Sequence, residues 1–314
     1  MRHPTPNPSA RPDSPEGPPR RHYVLYGQSV IAPPLPGGLH LVATPIGNLR
    51  DVTVRALEVL AAADVIACED TRITGRLLEH YGIRAPLTPY HEHNAADARP
   101  GLLARLAAGE VVALVSDAGT PLISDPGFKL VREAHSAGHA VTPIPGASAV
   151  LAALAASGLP TDRFFFEGFL PAKEIQRQSR IEDLCRIPAT LVLFESGPRL
   201  AAALADLSAG LGPREAAVCR ELTKLHEEVR RGTLEALAAG YAQAPEPRGE
   251  IVVVIAPPAG DSKLEAGTLD GMLRNALARL SVKEAVAEIA AATGHPRREV
   301  YQRALALTKD RPHD

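Results

Sequence analysis

The sequence predicts an α/β fold made of two α/β domains, with a small helical appendage at the C-terminal end. From residue 39 onward, short apolar runs alternate with helical stretches, which is typical of strands joined by crossover helices. The run Val111 to Val115 is apolar at every position, as expected for a strand that is buried on both faces. Comparable runs recur in the second half, up to Glu250 to Ile255, and these indicate a second α/β unit.

We bound the first domain at residues 37–157 and expect its sheet to be mainly parallel. Asp51 or Thr53 is the expected cap of its first helix. Asp125 and Pro126 are expected to start a later helix, with the aspartate as cap and the proline in the first helical position. The predicted strands cover residues 39–43, 64–68, 111–115 and 140–144.

The second domain is predicted at residues 158–260, and a polar linker follows it to about residue 268. The appendage covers residues 268–314, where two helical patterns flank the turn at Thr293, Gly294 and His295 and resemble a helix-turn-helix. The strand candidates of the second domain cover residues 164–166, 190–194, 216–219 and 250–255.

Composition indicates a globular protein without a uniformly basic surface. The chain has 314 residues, a formal net charge of −2 and three cysteines without a Cys-x-x-Cys pair. Any contact with nucleic acid must therefore come from local patches, and lone cysteines fit a reducing cytoplasm. Residues 1–36 are rich in Pro and Arg and are predicted to form a disordered tail. No apolar stretch is long enough for a transmembrane helix, so we expect no membrane association.

Ligands of open α/β sheets bind beyond the carboxyl ends of the strands, so the loops that follow the strands are the candidate site. The loop from Thr44 to Leu49 carries Pro and Gly, and the loop from Ser116 to Gly127 is small and acidic. Neither glycine-rich phosphate motif, G-x-G-x-x-G after the first strand or G-x-x-x-x-G-K-[ST], is present. Asp117 suits a cationic or hydroxyl-rich ligand, whereas Asp125 is expected to act as a helix cap.

Three polar clusters leave more than one interpretation open. They comprise residues 69–72, 90–94 and 222–228. The two histidines of the second cluster, His91 and His93, could belong to a metal site, to an acid/base pair with Glu92, or to a polar surface turn. The third cluster could face the same cleft or form a solvated turn.

Taken together and in order, these loops resemble one protein family. The motifs are Thr44-Pro45-Ile46-Gly47-Asn48-Leu49, Glu69-Asp70-Thr71-Arg72, His91-Glu92-His93-Asn94, Ser116-Asp117-Ala118-Gly119-Thr120-Pro121, Ser124-Asp125-Pro126-Gly127, Gly168-Phe169-Leu170-Pro171 with Lys173, and Glu221-Leu222-Thr223-Lys224 with Glu227-Glu228. The set resembles the bacterial 16S ribosomal RNA cytidine 2'-O-methyltransferases, the RsmI family of the tetrapyrrole methylase superfamily, over about residues 39–258 and the helical tail.

This resemblance implies an enzyme that binds S-adenosylmethionine (SAM) in a cleft between the two domains, acts as a homodimer and needs no metal. The implied substrate is a cytidine in the decoding region of 16S rRNA, within the 30S subunit. By position, the residues implied for SAM binding are Thr44, Pro45, Gly47, Asp117, Ala118, Gly119, Thr120, Pro145, Gly146, Ser148, Ala149, Phe194 and Glu195.

The resemblance also implies a catalytic, RNA-facing set, namely Asp70, Arg72, His91, Glu92, Lys224 and Glu227. Within it, Glu92, or His91 supported by Glu92, is the candidate general base. Arg72 and Lys224 are candidates for holding flanking phosphates. Two alternative functions stay open: a SAM-dependent methyltransferase of precorrin-type tetrapyrroles, and a non-enzymatic RNA-binding factor of ribosome assembly.

Overall fold

The computed structural model describes residues 21–258 and 262–309, and it contains two compact units. The first unit holds both α/β sheets and extends to Asp183, then from Ala189 to Ala256. The second unit contains Leu184–Pro188 and the described residues from Pro257 onward. Because both sheets share one unit, the domain boundary at residue 157 stays a prediction.

The first described element is a β-hairpin, formed by β1 (His22–Leu25) and β2 (Gln28–Ile31). Tyr23 is only 2% exposed and belongs to the core cluster that also contains Leu57 and Leu60. The disordered tail predicted for residues 1–36 is therefore wrong over this hairpin, because Tyr23 is buried in the core and Leu25 and Val30 pack against the same cluster. Residues 1–20 of that predicted tail lie outside the described part of the chain.

The first sheet has five parallel strands in the order β5-β4-β6-β3-β7. Its central strand β6 is buried at every position, as the continuous apolar run predicts. The short edge strand β5 was not predicted, since three residues that include a proline give no periodic signal. The strands are β3 (Gly38–Val42), β4 (Val65–Cys68), β5 (Leu87–Pro89), β6 (Val111–Val115) and β7 (Val141–Ile144).

The helices between these strands begin at side-chain caps in most cases, and one departs from the prediction. Thr53 caps the first helix, as predicted, by accepting a hydrogen bond from the Ala56 N–H at 3.1 Å. Helix α4 begins at Phe128 with Gly127 as its cap, so the prediction that Asp125 caps it is wrong. The helices are α1 (Val54–Ala62), α2 (Thr71–His80), α3 (Ala95–Ala107), α4 (Phe128–Ser136) and α5 (Ala149–Ser157).

The second sheet is mixed, with the strand order β11-β10-β12-β9-β8, and its β8–β9 pair is parallel while the other pairs are antiparallel. Helix α5 packs on this sheet through Val150, Ala153 and Leu154. The polar strand β11 was not predicted. The elements are β8 (Phe164–Phe169), α6 (Glu174–Leu184), β9 (Thr190–Ser196), α7 (Gly197–Leu211), β10 (Glu215–Arg220), β11 (Glu228–Thr233), α8 (Leu234–Gln243) and β12 (Glu250–Ile255).

The helical unit consists of α9 (Ser262–Leu277), α10 (Val282–Thr293) and α11 (Arg297–Lys309). Its own apolar cluster includes Leu273, Ile289 and Val300. A capping box of Ser281 and Glu284 starts α10, and Gly294 ends that helix in the left-handed conformation. The polar linker predicted up to about residue 268 is wrong from residue 262 onward, because α9 begins there.

No helix within the described residues is both long and apolar enough to cross a bilayer.

The hairpin gives a direct stability test. Replacing Tyr23 by Ala should lower the free energy of unfolding by about 3–5 kcal/mol, because it removes a buried ring from the core of the first sheet. The same change at Tyr26, which is 91% exposed in the turn, should stay within about 0.5 kcal/mol. Chemical denaturation of both variants measures the difference, and equal stabilities would show that the hairpin is not packed.

Candidate functional site

A cavity of about 250 Å³ lies in the first unit where loops of both sheets meet, and we call it the central cavity. Its walls are mostly apolar, and none of the described residues that line it is Lys, Arg or His. Three acidic residues do line it. The lining residues are Ile46, Ala118, Gly119, Thr120, Ile123, Ser124, Asp125, Ser148, Ala149, Val150, Phe169, Phe194, Glu195, Cys219, Leu222, Glu250, Ile251 and Val252.

Two loops of the first sheet are joined at the cavity wall. Thr44 and Gly119 exchange two backbone hydrogen bonds, at 2.9 and 3.0 Å. The buried hydroxyl of Thr44 donates to the Ser116 carbonyl at 3.2 Å. Gly119 has a φ of +83°, a conformation that side chains disfavour, and a Cβ there would lie 3.4 Å from the Ile46 side chain. The loop after β3 therefore fixes the loop after β6.

Glu195, at the end of β9, contributes a buried carboxylate to the cavity. It is 4% exposed, and its Oε1 accepts a hydrogen bond from the Ser196 N–H at 2.8 Å and lies 3.3 Å from Arg199 Nε. Its other oxygen, Oε2, is buried without a hydrogen-bond partner among the described residues. Since buried polar atoms are nearly always satisfied, this oxygen is a candidate acceptor for a ligand.

Strained backbone is concentrated in two loops beside the cavity. Leu122, Ser124, Glu221 and Thr223 have φ between +52° and +73°, although none is glycine. Each such residue costs on the order of 1–3 kcal/mol and persists only where its surroundings impose it. Ser124 lines the cavity, and so does Leu222, which lies between the two strained residues of the second loop. The strain thus falls on the loops that shape the cavity walls.

Asp125 lies close to two other carboxylates. Burial and the negative charge of Glu69 raise the pKa of Asp125 to about 6, and Asp117 adds to this rise. Burial likewise raises the pKa of Glu69 and that of Asp117. Asp117 also accepts a hydrogen bond from the Asp70 N–H at 2.9 Å. Asp125 in the central cavity therefore interacts electrostatically with Glu69 and Asp117, and Asp117 is hydrogen-bonded to the loop after β4.

A wider, open pocket of about 500 Å³ brings several predicted polar residues together, and we call it the polar opening. Arg72 pairs with Asp70 at 2.6 Å and, through hydrogen bonds, lowers the pKa of that carboxyl to about 2. The Arg72 side chain is nevertheless 85% exposed, so it is accessible to an anion. The pocket is lined by Glu69, Asp70, Thr71, Arg72, Pro89, His91, His93 and Asp117.

Three residues of the predicted catalytic set do not lie at this opening. Glu92 is exposed to solvent and lines neither pocket. The Lys224 ammonium donates to Glu221 at 2.7 Å and to Glu250 at 3.1 Å, and its aliphatic stem packs against Gly47. Glu227 accepts a hydrogen bond from the Thr223 N–H at 2.6 Å. Lys224 and Glu227 thus shape the turn between β10 and β11, and two carboxylates already hold the Lys224 ammonium that was predicted to hold a phosphate.

The residues predicted to bind the cofactor fall into three groups. Those that line the central cavity are Ala118, Gly119, Thr120, Ser148, Ala149, Phe194 and Glu195. A neighbouring pocket of about 300 Å³ is lined by others, namely Thr44, Pro45, Gly47 and Asp117. Pro145 and Gly146 line neither pocket. Gly146 packs on β3 instead, since a Cβ there would lie 2.9 Å from the Ala43 side chain.

Sequence reasoning missed the wall that β12 provides. Glu250, Ile251 and Val252 line the cavity, but their apolar run indicated only a core strand. Asp125 was expected to cap a helix, but it lines the central cavity. The signal in the sequence was Gly127, two residues later, because glycine can also take the cap position. Gly127 has a φ of +138°, and it starts the helix in place of the aspartate.

Over the described ranges, no group of three or more His, Cys, Asp and Glu side chains is arranged to hold a metal ion.

Comparison with known proteins gives family matches over both units. Residues 38–238 match the family described as Tetrapyrrole (Corrin/Porphyrin) Methylases, and residues 264–308 match the RsmI C-terminal HTH domain. A protein named Ribosomal RNA small subunit methyltransferase I from Mesorhizobium japonicum is 54% identical, over 90% of this chain and 97% of its own length. One of the same name from Synechocystis is 48% identical, over 87% and 99%.

Solved structures with the same fold are more distant in sequence. The uroporphyrin-III-C-methyltransferase of Thermus thermophilus is 25% identical, with a TM-score of 0.50 over 69% of this chain and 94% of that one. A conserved hypothetical protein from Aeropyrum pernix K1 is 22% identical, with a TM-score of 0.55 over 88% and 97%. The second likeness concerns the fold alone.

The carboxylate cluster makes a testable prediction. In Glu69→Gln, the pKa of Asp125 should fall from about 6, because a neighbouring negative charge that opposes ionisation is removed. The exposed Glu79→Gln on α2 is the control and should leave the pKa of Asp125 unchanged. Carbon-13 NMR titration of the side-chain carboxyls measures both, and an Asp125 pKa that is equal in the two variants would contradict the described cluster.

Proposed function

We propose that this chain, which belongs to the tetrapyrrole methylase family and within it to the ribosomal RNA small subunit methyltransferase I proteins, methylates the ribose 2'-hydroxyl of a cytidine in the decoding region of 16S rRNA. The chain is a SAM-dependent methyltransferase of small-subunit ribosomal RNA. The cytidine and its 2'-hydroxyl are the parts of the proposal that go beyond the family, and they rest on the loop motifs of the sequence.

The observation that supports the central cavity as the donor site is its charge. Asp125, Glu195 and Glu250 line it, and no cationic side chain of the described chain does. SAM carries a sulfonium, an ammonium group and ribose hydroxyls, so its donors and its positive charge fit these carboxylates. The buried Oε2 of Glu195 offers an acceptor that the protein leaves unused. A phosphate-bearing cofactor would instead meet repulsion here.

SAM, when bound, supplies a methyl group on a leaving group that is already activated. The chain must therefore orient the acceptor and exclude water rather than activate the donor. Holding the reacting atoms in line is worth up to about 7–11 kcal/mol of the barrier. The joined loops at Thr44 and Gly119 and the strained loop at Ser124 provide the rigid wall that such positioning requires.

The RNA is too large for the central cavity, so it must approach through a more open surface. We place the target nucleotide at the polar opening, where the exposed Arg72 guanidinium is accessible to a phosphate. Asp117 lines both the polar opening and the pocket beside the loop after β3. Lys224 is no longer a candidate for this role, because two carboxylates hold its ammonium.

A proton must leave the 2'-hydroxyl during the transfer, and we place its acceptor at Asp125. This carboxylate lines the central cavity, and its pKa of about 6 lies near neutral pH, where a general base is most effective. Glu92 is exposed outside both pockets. His91 lines the polar opening and is the second candidate.

The two alternatives from the sequence are less well supported. Methylation of a tetrapyrrole is opposed by the similarity to the methyltransferase I proteins over nearly their entire length. A purely RNA-binding assembly factor would have no use for a cavity with an acidic lining that includes the buried carboxylate of Glu195. The 30S subunit as substrate form, the homodimer and a cytoplasmic location rest on the resemblance and on the proposed substrate.

The chemistry can be tested by nucleoside mass spectrometry. Purified protein incubated with SAM and either 16S rRNA or 30S subunits should yield 2'-O-methylcytidine in one of the two substrates. Methyl transfer to a base, or to a tetrapyrrole supplied in parallel, would overturn the proposed acceptor.

Neutralising the unused acceptor should weaken donor binding. Glu195→Gln should lower SAM affinity by about tenfold or more, because the negative charge that strengthens the hydrogen bond and attracts the cationic donor is removed. Glu215→Gln on β10, an exposed position, is the matched control and should bind SAM as the unmodified protein does. Isothermal titration calorimetry compares the three proteins. Normal affinity in Glu195→Gln would remove Glu195 from the donor site.

The assignment of the base can be tested with two matched variants. Asp125→Asn should reduce the single-turnover rate at saturating SAM by about 10²–10⁴, the usual worth of a general base, whereas Glu92→Gln should stay near normal. A collapse in Glu92→Gln with a retained rate in Asp125→Asn would reverse the assignment.

A further inference from the structure

The helical unit carries a groove of about 380 Å³ between α10 and the start of α11, which we call the basic groove. It is lined by Lys283, Val286, Ala287, Arg297, Arg298 and Tyr301. We infer that the basic groove binds the RNA backbone and is a second anchor for the substrate, apart from the methylation site. The inference rests on the proposed function in that the substrate is RNA.

The cations of the groove are not neutralised within the described chain. Lys283, Arg297 and Arg298 are exposed, and no ion pair joins any of them to a carboxylate among the described residues. Other arginines of the same unit behave differently, since Arg279 pairs with Glu288 and Arg303 pairs with Asp270. Unpaired cations grouped on one face are therefore a local feature and not a general property of the unit.

Three acidic residues of the unit are engaged outside the groove, and a fourth, Glu299, is exposed and does not line it. Glu284 closes the capping box with Ser281, while Glu288 and Asp270 hold the two paired arginines. No acidic residue lines the groove. Three positive charges without a compensating carboxylate create a local field that attracts a polyanion.

Tyr301 adds a feature that distinguishes RNA from a simple anion. Its side chain is 47% exposed and lines the groove together with the three cations. An aromatic ring beside basic side chains is the usual platform for single-stranded RNA, because bases stack on the ring while cations hold the backbone. The combination favours an unpaired segment of RNA over a free phosphate ion.

A second anchor is also needed on electrostatic grounds. The formal net charge of the chain is −2, so the overall field does not attract RNA. The central cavity is lined by carboxylates, which repel phosphates. Arg72 is accessible at the polar opening, but Asp70 already shares its charge. A basic patch outside the methylation site therefore supplies attraction that the site itself lacks.

The test uses charge reversal in the full-length protein. Arg297→Glu with Arg298→Glu should weaken binding of a 16S rRNA transcript, of 30S subunits, or of both by about tenfold or more. The slope of log affinity against log salt concentration should become shallower by about two, one for each phosphate that the arginines no longer neutralise. The matched control compares the single variants Arg298→Glu and Arg274→Glu, since Arg274 is an exposed arginine of the same unit that lies outside the groove and forms no ion pair among the described residues. Melting temperatures verify that all three variants fold.

Tyr301 provides an independent arm. Tyr301→Ala should weaken RNA binding by about fivefold or more, whereas Tyr301→Phe should restore it, because stacking needs the ring and not the hydroxyl. SAM affinity, measured by calorimetry, should be unchanged in every variant. A protein that fails to bind SAM or to methylate RNA before any substitution would instead count against the proposed function.

Three outcomes overturn the inference. RNA affinity could be unchanged in the groove variants. It could also fall equally in the control, which would show that the effect comes from the net charge of the protein and not from the groove. Alternatively, analytical ultracentrifugation could show that the groove variants lose self-association with RNA affinity intact, in which case the face binds a second copy of the chain.

Discussion

Negative charge buried at the meeting point of two sheets is the constraint on which this structure depends. A carboxylate that loses its hydration must find hydrogen bonds or cations inside the protein, or else shift its pKa. Here Glu195 is satisfied at one oxygen and unsatisfied at the other, while the pKa of Asp125 rises to about 6. Such an arrangement is costly unless a cationic, hydroxyl-rich group compensates it, which is the role proposed for SAM.

The surrounding fold holds these carboxylates in place. The parallel sheet brings the loops after β3 and β6 together, and the exchange of hydrogen bonds between Thr44 and Gly119 fixes them to each other. The second sheet adds β9 and β12, and in their antiparallel register Glu195 lies opposite Ile251 while Glu250 lies opposite Ser196. Lys224 then links the two parts, since it packs against Gly47 and binds Glu250. The strained loops at Ser124 and Thr223 complete the wall.

The sequence predicted this architecture where the physical signal was local. The continuous apolar run of β6 and the position of its acidic loop at a strand end were sufficient to predict that Asp117, Ala118 and Gly119 lie beside a pocket, and the structure has them lining the central cavity or the pocket next to it. The wall from β12 could not be predicted, because pairing between distant strands leaves no trace in one segment. The hairpin at Tyr23 was missed for a related reason, since its burial depends on α1 and not on its own composition.

Charged clusters were the least predictable part of the site. Lys224 and Glu227 looked like free functional groups in the sequence, but both are used within the structure by neighbouring carboxylates and backbone N–H groups. Asp125 showed the opposite behaviour. It was expected to cap a helix, but Gly127, with a φ of +138°, takes the cap position, and Asp125 lines the central cavity. Tertiary hydrogen bonds decide which polar side chains remain free, and the sequence pattern does not reveal those bonds.

Recognition of the donor's positive charge by the carboxylates of the central cavity is tested most directly by comparing SAM with S-adenosylhomocysteine, which lacks the sulfonium charge. Calorimetric affinities for both should be measured between pH 5 and 8, a range of about one to two units on either side of the Asp125 pKa of about 6. The preference for SAM should be largest above this pKa and should shrink as the Asp125 carboxylate becomes protonated. A preference that does not change with pH, or the absence of SAM binding, would contradict this recognition.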